Sequence, residues 1–221
     1  MPSIYSCQFL GDMWSEWEHG MVLNELPELF AKDGVALLLT NRDGRDFCYL
    51  YDLEESLLTW ASWSDGAWSD WADPMAFSPP PNFAPDSEDT CFSVVSQDDV
   101  DWLLSINLMA GTVYGCPIDL EVTEAVWEEP TPIEVAPNLD ESTDIFAAIH
   151  DESEWVIAVD LEQQSVCYSE WNGEEYSSWE SVPSLDLPEE WLEMGIDLDG
   201  AVVDEQLLVY AIVYDDDQVS L

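Results

Sequence analysis

The chain has 221 residues and carries 49 acidic side chains against 3 basic ones, which gives it a formal net charge of −46. Apolar residues make up 47% of it and include 12 Trp, far more than a disordered acidic tail contains, so we expect a folded protein. A surface of one sign repels nucleic acid and anionic membranes and attracts basic clefts. The composition therefore argues against direct binding to nucleic acid or to a membrane.

The three basic residues are Lys32, Arg42 and Arg45, so residues 46–221 contain none. No Lys or Arg precedes residue 32, and a signal peptide begins with a basic segment. The longest apolar runs, at 35–39 and 207–213, are too short to span a membrane. The five Cys form no C-x-x-C pair and lie in strand-like runs, where a free Cys behaves as a small hydrophobe. We expect a cytoplasmic location.

A tryptophan motif marks the predicted elements along the chain. Trp14-Ser15-Glu16-Trp17 recurs as Trp68-Ser69-Asp70-Trp71 and as Tyr176-Ser177-Ser178-Trp179, and a degraded fourth copy ends at Trp127. Eight residues before the final Trp of the three clear copies stands another aromatic residue: Phe9, Trp63 and Trp171. The residues between them are turn signals: Gly11-Asp12, Asp65-Gly66 and Asn172-Gly173. Asp-Gly and Asn-Gly favour tight hairpins, so each copy predicts two antiparallel strands.

The spacing of the motif predicts a ring. The final Trp residues lie 54, 56 and 52 residues apart, and the interval from Trp179 through the C-terminus back to Trp17 is 59. A period of about 55 residues that closes across the termini is typical of a repeat array joined end to end. We expect one domain, 1–221, made of units 200–221 with 1–32, 33–86, 87–140 and 141–199.

Each unit predicts four short strands bounded by turn residues. The second unit has them at 35–40, 46–52, 57–63 and 68–73, and the last at 144–150, 155–160, 165–171 and 176–182. The third unit runs over 91–128 in the same order, and the first combines 201–214 with 3–19. Short helical turns are predicted at 26–30 and 188–194. The sequence predicts an all-β fold, a β-propeller-like ring of four four-stranded blades whose termini share one blade.

The W-S-x-W pattern with its upstream aromatic strand resembles the repeats of lectin propellers of the tachylectin type and of the bacterial fucose-binding type. The resemblance covers the chain as architecture and is specific in the two outer strands of three repeats. In those lectins sugars bind between blades on Trp faces. The motif Trp residues here have a second interpretation, as packing between neighbouring blades.

Acidic residues recur in the predicted turns between the first and second strands of each blade. In a propeller these turns lie on one face of the ring, and the turns between third and fourth strands, such as Asp65 and Glu174-Glu175, lie farther out on the same face. A rigid ring of carboxylates imitates the charge spacing of duplex DNA. The predicted partner-binding residues are Asp43, Asp46, Asp98, Asp99, Asp101, Asp151, Glu152, Glu154, Asp204 and Glu205.

Other chemistry has little support in the sequence. His19 and His150 lie in no nucleophile or zinc motif. The segment 41–46 faintly resembles a calcium loop but lacks its length and terminal Glu, so a hairpin turn explains it better. The acidic runs 197–200 and 215–217 indicate no specific cation site. We expect no enzyme activity, no cofactor and no resident metal.

Three functions fit these features. The first is an acidic nucleic-acid mimic that inhibits a basic nucleic-acid-binding protein, as in phage counter-defence or immunity to a nuclease toxin. In composition the chain looks like such mimics. The second is adaptation to saturated salt, against which stand two Arg and five Cys. The third is a lectin-like or peptide-binding propeller.

Overall fold

The computed structural model describes residues 3–11, 13–23, 25–30, 35–81, 83, 90–97, 99–119, 125–137, 143–150, 153–194, 196–203 and 206–213. Its strands form four antiparallel sheets arranged as the blades of a β-propeller. The all-β fold, the four four-stranded blades and the ring predicted from the sequence are confirmed.

In chain order the strands are β1 (Ser3–Gln8), β2 (Glu18–Val22), β3 (Val35–Arg42), β4 (Arg45–Asp52), β5 (Leu57–Ser64), β6 (Ala67–Trp68), β7 (Met75–Ala76), β8 (Thr90–Gln97), β9 (Val100–Asn107), β10 (Thr112–Pro117), β11 (Thr131–Pro132), β12 (Thr143–His150), β13 (Ser153–Asp160), β14 (Ser165–Glu170), β15 (Glu180–Val182), β16 (Ile196–Val203) and β17 (Gln206–Val213). A 3-10 helix at Glu28–Phe30 and the helix α1 at Glu189–Met194 lie in the predicted helical turns.

The first blade is built from both ends of the chain. Its strands run from the axis outward in the order β16, β17, β1 and β2, and β1 pairs with β17 from Ser3 opposite Val213 to Gln8 opposite Leu208. The termini therefore share one blade, as predicted. Its innermost strand begins at Ile196, earlier than the expected unit boundary at residue 200.

The other three blades are each continuous in sequence. The second blade contains β3 to β6, with β7 paired to β5; the third contains β8 to β11; and the fourth contains β12 to β15. In every blade the first strand lies innermost, and the four inner strands contact one another around the axis. All five cysteines are free.

The fourth strand is shorter than predicted in blades two and four, where β6 has two residues and β15 has three. In blade three it lies at Thr131–Pro132, beyond the predicted range 91–128. In the three clear copies of the motif, the serine hydroxyl accepts a hydrogen bond from a third-strand backbone N–H, as in Ser15 with Gln8 (2.9 Å) and Ser177 with Glu170 (3.0 Å). This side-chain acceptor takes the place of a fourth-strand carbonyl, so the regular ladder is interrupted there.

The final Trp of each motif joins its blade to the connector from the preceding blade. The indole N–H of Trp17 donates to the carbonyl of Asp186 (2.8 Å), and that of Trp71 to Glu25 (3.2 Å). The same bond runs from Trp127 to Ser78 (2.9 Å) and from Trp179 to Glu134 (2.9 Å). All four blades thus use one contact, which places the degraded copy ending at Trp127 in the same repeat and supports the packing interpretation of these residues.

A buried carboxylate links the inner strands at the axis of the ring. Asp199 of β16 accepts hydrogen bonds from the backbone N–H of Leu39 on β3 (2.6 Å) and from the hydroxyl of Ser93 on β8 (2.9 Å). The Ser93 oxygen in turn accepts from the N–H of Ala147 on β12 (3.0 Å). One connected network therefore joins the inner strands of all four blades.

Residue 200 is a glycine because the phenyl group of Phe146 in blade four lies too close for a side chain. A Cβ on Gly200 would stand 2.7 Å from the Phe146 ring. Such a distance is well below van der Waals contact, so the tight packing of β16 against β12 requires glycine here.

Candidate partner-binding face

The turns between first and second strands lie together on one face of the ring, which we call the hairpin face. Equivalent positions of neighbouring inner strands meet, as Leu39 meets Asp199 and Ala147 meets Ser93, so the inner strands run in the same direction. Their carboxyl ends, and the turns that follow, therefore point the same way. The turns between third and fourth strands share this face because strand direction alternates within a blade.

Several acidic residues of this face are exposed in tight turns. Asp43-Gly44 has φ values of 55° and 72°, and Asp65-Gly66 has 55° and 82°, which are the left-handed conformations of a type I′ hairpin turn. Asp99 has a φ of 63°. The exposed acidic residues that the structure describes in these turns are Asp43, Asp65, Asp99, Glu174 and Glu175, and Asp119 is exposed just after the end of β10.

The prediction that the binding residues lie in the turns is wrong for three of them. Asp46, Asp101 and Glu154 each occupy the second position of the second strand of their blade, and Asp101 is only 1% exposed. Side chains alternate between the two sides of a strand, and this position points into the gap toward the preceding blade. Asp46 and Glu154 are half-buried there.

These three carboxylates accept hydrogen bonds from tyrosine hydroxyls. Tyr49 of blade two donates to Asp101 of blade three, and Tyr210 of blade one donates to Asp46 of blade two (2.7 Å). Glu154 of blade four instead accepts from Tyr176 of its own blade. Burial raises the pKa of all three tyrosines, and the nearby carboxylates raise it further.

Asp101 also forms a salt bridge with Arg42. Its Oδ2 is 2.9 Å from a guanidinium nitrogen of Arg42, and Ser96 donates to its Oδ1 at 2.5 Å. The Arg42 guanidinium lies 4.4 Å from the centre of the Phe47 ring. The partners of Asp101 are thus supplied from within the chain, so its carboxylate is not presented to a partner protein.

The remaining predicted binding residues lie outside the described residues: Asp98, Asp151, Glu152, Asp204 and Glu205. The strands on both sides of each of these turns are described, and they form the expected hairpins. Among the described residues no group of three or more His, Cys, Asp or Glu side chains is arranged to hold a metal ion.

Sequence reasoning missed the carboxylates at the axis. Burial raises the pKa of Asp199 to about 8, against three hydrogen bonds that lower it. Burial and the charge of Asp197 raise the pKa of Asp144, on β12, to about 7. The signal available was the position of Asp199 inside a strand, between the apolar residues Leu198 and Ala201.

The chain matches no protein-family model and has no significant sequence match among curated proteins. No helix in the described part of the chain has the length and apolar character needed to cross a bilayer.

Proposed function

We propose that this protein is an acidic inhibitor that presents its hairpin face to the basic cleft of a nucleic-acid-binding protein, in place of that protein's DNA or RNA. The observation that carries the proposal is the set of exposed carboxylates in the hairpin turns, on a chain with a net charge of −46. Charge of one sign on a rigid support accelerates association with a cationic cleft and releases counterions from it. The proposal includes no catalytic reaction and no cofactor.

Rigidity is the second argument. The three aspartates Asp43, Asp65 and Asp99 themselves occupy left-handed turn positions, so their Cα atoms are fixed by closed hairpins. A partner binding such a surface loses less free energy to ordering than one binding a flexible acidic tail.

The lectin-like alternative draws less support. The Trp residues that end the four motif copies donate their indole N–H groups to neighbouring connectors, which accounts for their recurrence without a sugar. Adaptation to saturated salt predicts a different behaviour: such a protein requires molar salt to fold, whereas an inhibitor of this kind stays folded at moderate salt.

The test is capture of a basic protein that duplex DNA or RNA displaces, followed by neutralisation of the hairpin face. The test variant carries Asp43→Asn, Asp65→Asn, Asp99→Asn, Asp119→Asn, Glu174→Gln and Glu175→Gln. Asn tolerates left-handed turn positions, so the turns should persist. We expect at least about a tenfold loss of affinity and a shallower dependence on salt.

The control removes the same charge from the opposite face of the ring with Glu54→Gln, Glu55→Gln, Glu162→Gln, Glu189→Gln, Glu190→Gln and Glu193→Gln. The inner strands of eight residues separate the two faces by about 25 Å, beyond the screening length of about 8 Å at physiological salt. This control should retain its affinity. Equal effects of both variants, or a captured protein that nucleic acid does not displace, would contradict the proposal.

A further inference from the structure

An open cleft lies between the third and fourth blades on the hairpin face. Its volume is about 480 Å³. Aromatic rings and carboxylates line it: Trp102, Trp171, Tyr176, Glu128, Glu129 and Glu154. Glutamate side chains beside indole rings are a favourable environment for an organic cation, because both the carboxylate and the ring face attract positive charge.

The equivalent gap between the second and third blades already contains such a cation. Arg42 is the last residue of β3, and its guanidinium stacks on Phe47 of its own blade while it pairs with Asp101 of the next. Tyr49 donates to the same carboxylate. The guanidinium of Arg42 therefore occupies this gap, where Phe47 and Asp101 bind it within the chain.

The cleft retains the aromatic ring and the carboxylate of that gap but lacks its arginine. By strand position, Trp102 corresponds to Phe47 and Glu154 corresponds to Asp101. The residue that corresponds to Arg42 is Gln97, the last residue of β8.

The tyrosine of the filled gap is also replaced. Leu104 stands at the position of Tyr49, and both Leu104 and Gln97 line the cleft. Two shorter, uncharged side chains in these places leave the space open, while the aromatic face and the carboxylate remain.

We propose that this cleft binds the guanidinium of an arginine side chain supplied by the basic partner protein, stacked on Trp102 and paired with Glu154. The inference rests on the proposed function for the source of the arginine. The chemistry is that of the Arg42 site, with the cation coming from outside the chain. Arginine suits it better than lysine, because its planar group stacks on a ring and donates along its edge at the same time.

The state of Glu154 supports this assignment. Burial raises the pKa of its carboxyl, the hydrogen bond from Tyr176 lowers it, and the charge of Glu128 raises it. A guanidinium in the cleft would offset both increases, as Arg42 offers a positive partner to the buried Asp101.

The first test titrates the protein alone with N-acetyl-arginine amide as the probe. Binding is measured by the NMR chemical shifts of the Trp indole N–H groups. The indole signals of Trp102 and Trp171 should shift saturably. The isosteric, uncharged citrulline derivative should leave them in place. Equal binding of the two probes would overturn the proposal, because the cleft would then not recognise charge.

Three variants locate the probe. Glu154→Gln keeps a hydrogen-bond acceptor for Tyr176 and should weaken arginine binding about tenfold. Gln97→Arg should abolish probe binding, because an internal arginine would then occupy the cleft as Arg42 does in its gap. Glu162→Gln, which removes an exposed charge from the opposite face of the ring, should change binding less than about twofold. Undiminished binding to either cleft variant would overturn the proposal.

The result is separable from the proposed function. If the probe binds as expected but no protein displaced by nucleic acid is captured, the inhibitor function fails and the cation site stands. If a partner is captured and hairpin-face neutralisation releases it while Glu154→Gln and Gln97→Arg do not, the partner's arginine does not enter the cleft and this inference fails.

Discussion

Aspartates serve opposite purposes at the axis of the ring and on its hairpin face. Asp199 at the axis is 2% exposed and accepts hydrogen bonds that tie strands of different blades together. Asp43 and Asp99 at the turns are exposed and bear left-handed backbone conformations. A buried aspartate therefore stabilises the ring, whereas an exposed aspartate adds negative charge to its surface.

The largest effect should follow removal of the axial carboxylate. Asp199→Ala leaves the N–H groups of Leu39 and Gly200 and the Ser93 hydroxyl without this acceptor. A buried donor without a partner costs about 1–3 kcal/mol, so we expect a loss of about 3 kcal/mol in the free energy of unfolding, measured by urea denaturation. Asp99→Asn is the control. A loss below about 1 kcal/mol would contradict the structural role of the network.

The dependence of stability on pH should be the next largest effect. The folded-state pKa values of Asp144 and Asp199 are raised to about 7 and about 8, so the native state binds more protons than the unfolded state between about pH 4 and 8. Stability should therefore fall as the pH rises through this window.

Urea denaturation at intervals from pH 5 to 8 measures this slope. Repulsion among surface carboxylates has the same sign, so the matched variants Asp144→Asn and Asp199→Asn separate the two sources. Each should flatten the slope. An unchanged slope in both variants would assign the pH dependence to the surface and not to the axis.

The smallest effect should come from the turn aspartates. Asp43→Asn and Asp99→Asn should change the free energy of unfolding by less than about 0.5 kcal/mol, and the sign should be stabilising at low salt because like charges are removed. Thermal unfolding at low and at physiological salt measures this, and the gain should shrink as salt screens the repulsion. A loss comparable to that of Asp199→Ala would show that these residues are structural.

The regular parts of this fold were predictable because they repeat. The spacing of Trp17, Trp71, Trp127 and Trp179 reflects a real contact, the indole bond to the neighbouring connector, and so gave the blade number. The Asp43-Gly44 turn was predictable because few dipeptides favour left-handed conformations at both positions.

Asp101 lies next to a predicted turn, and proximity to a turn favours exposure, which is wrong for this residue. Strand alternation places Asp101 on the same side of β9 as the buried Leu103 and Ser105, and that pattern is visible in the sequence. The pairing of Arg42 with Asp101 and the opening of the cleft beside Gln97 depend on which blades are neighbours and how large their side chains are. The spacing of motifs along the sequence does not reveal either property.

The shared blade has a consequence for how the protein is made. β1 is synthesised about 200 residues before its partner β17, so at 5–20 residues per second β1 waits on the order of tens of seconds for the edge it will pair with. Three blades can form locally in that interval, whereas ring closure awaits the synthesis of β16 and β17. An unpaired strand edge on a nascent chain can pair with other chains. The dense negative charge repels such chains from one another until the ring closes.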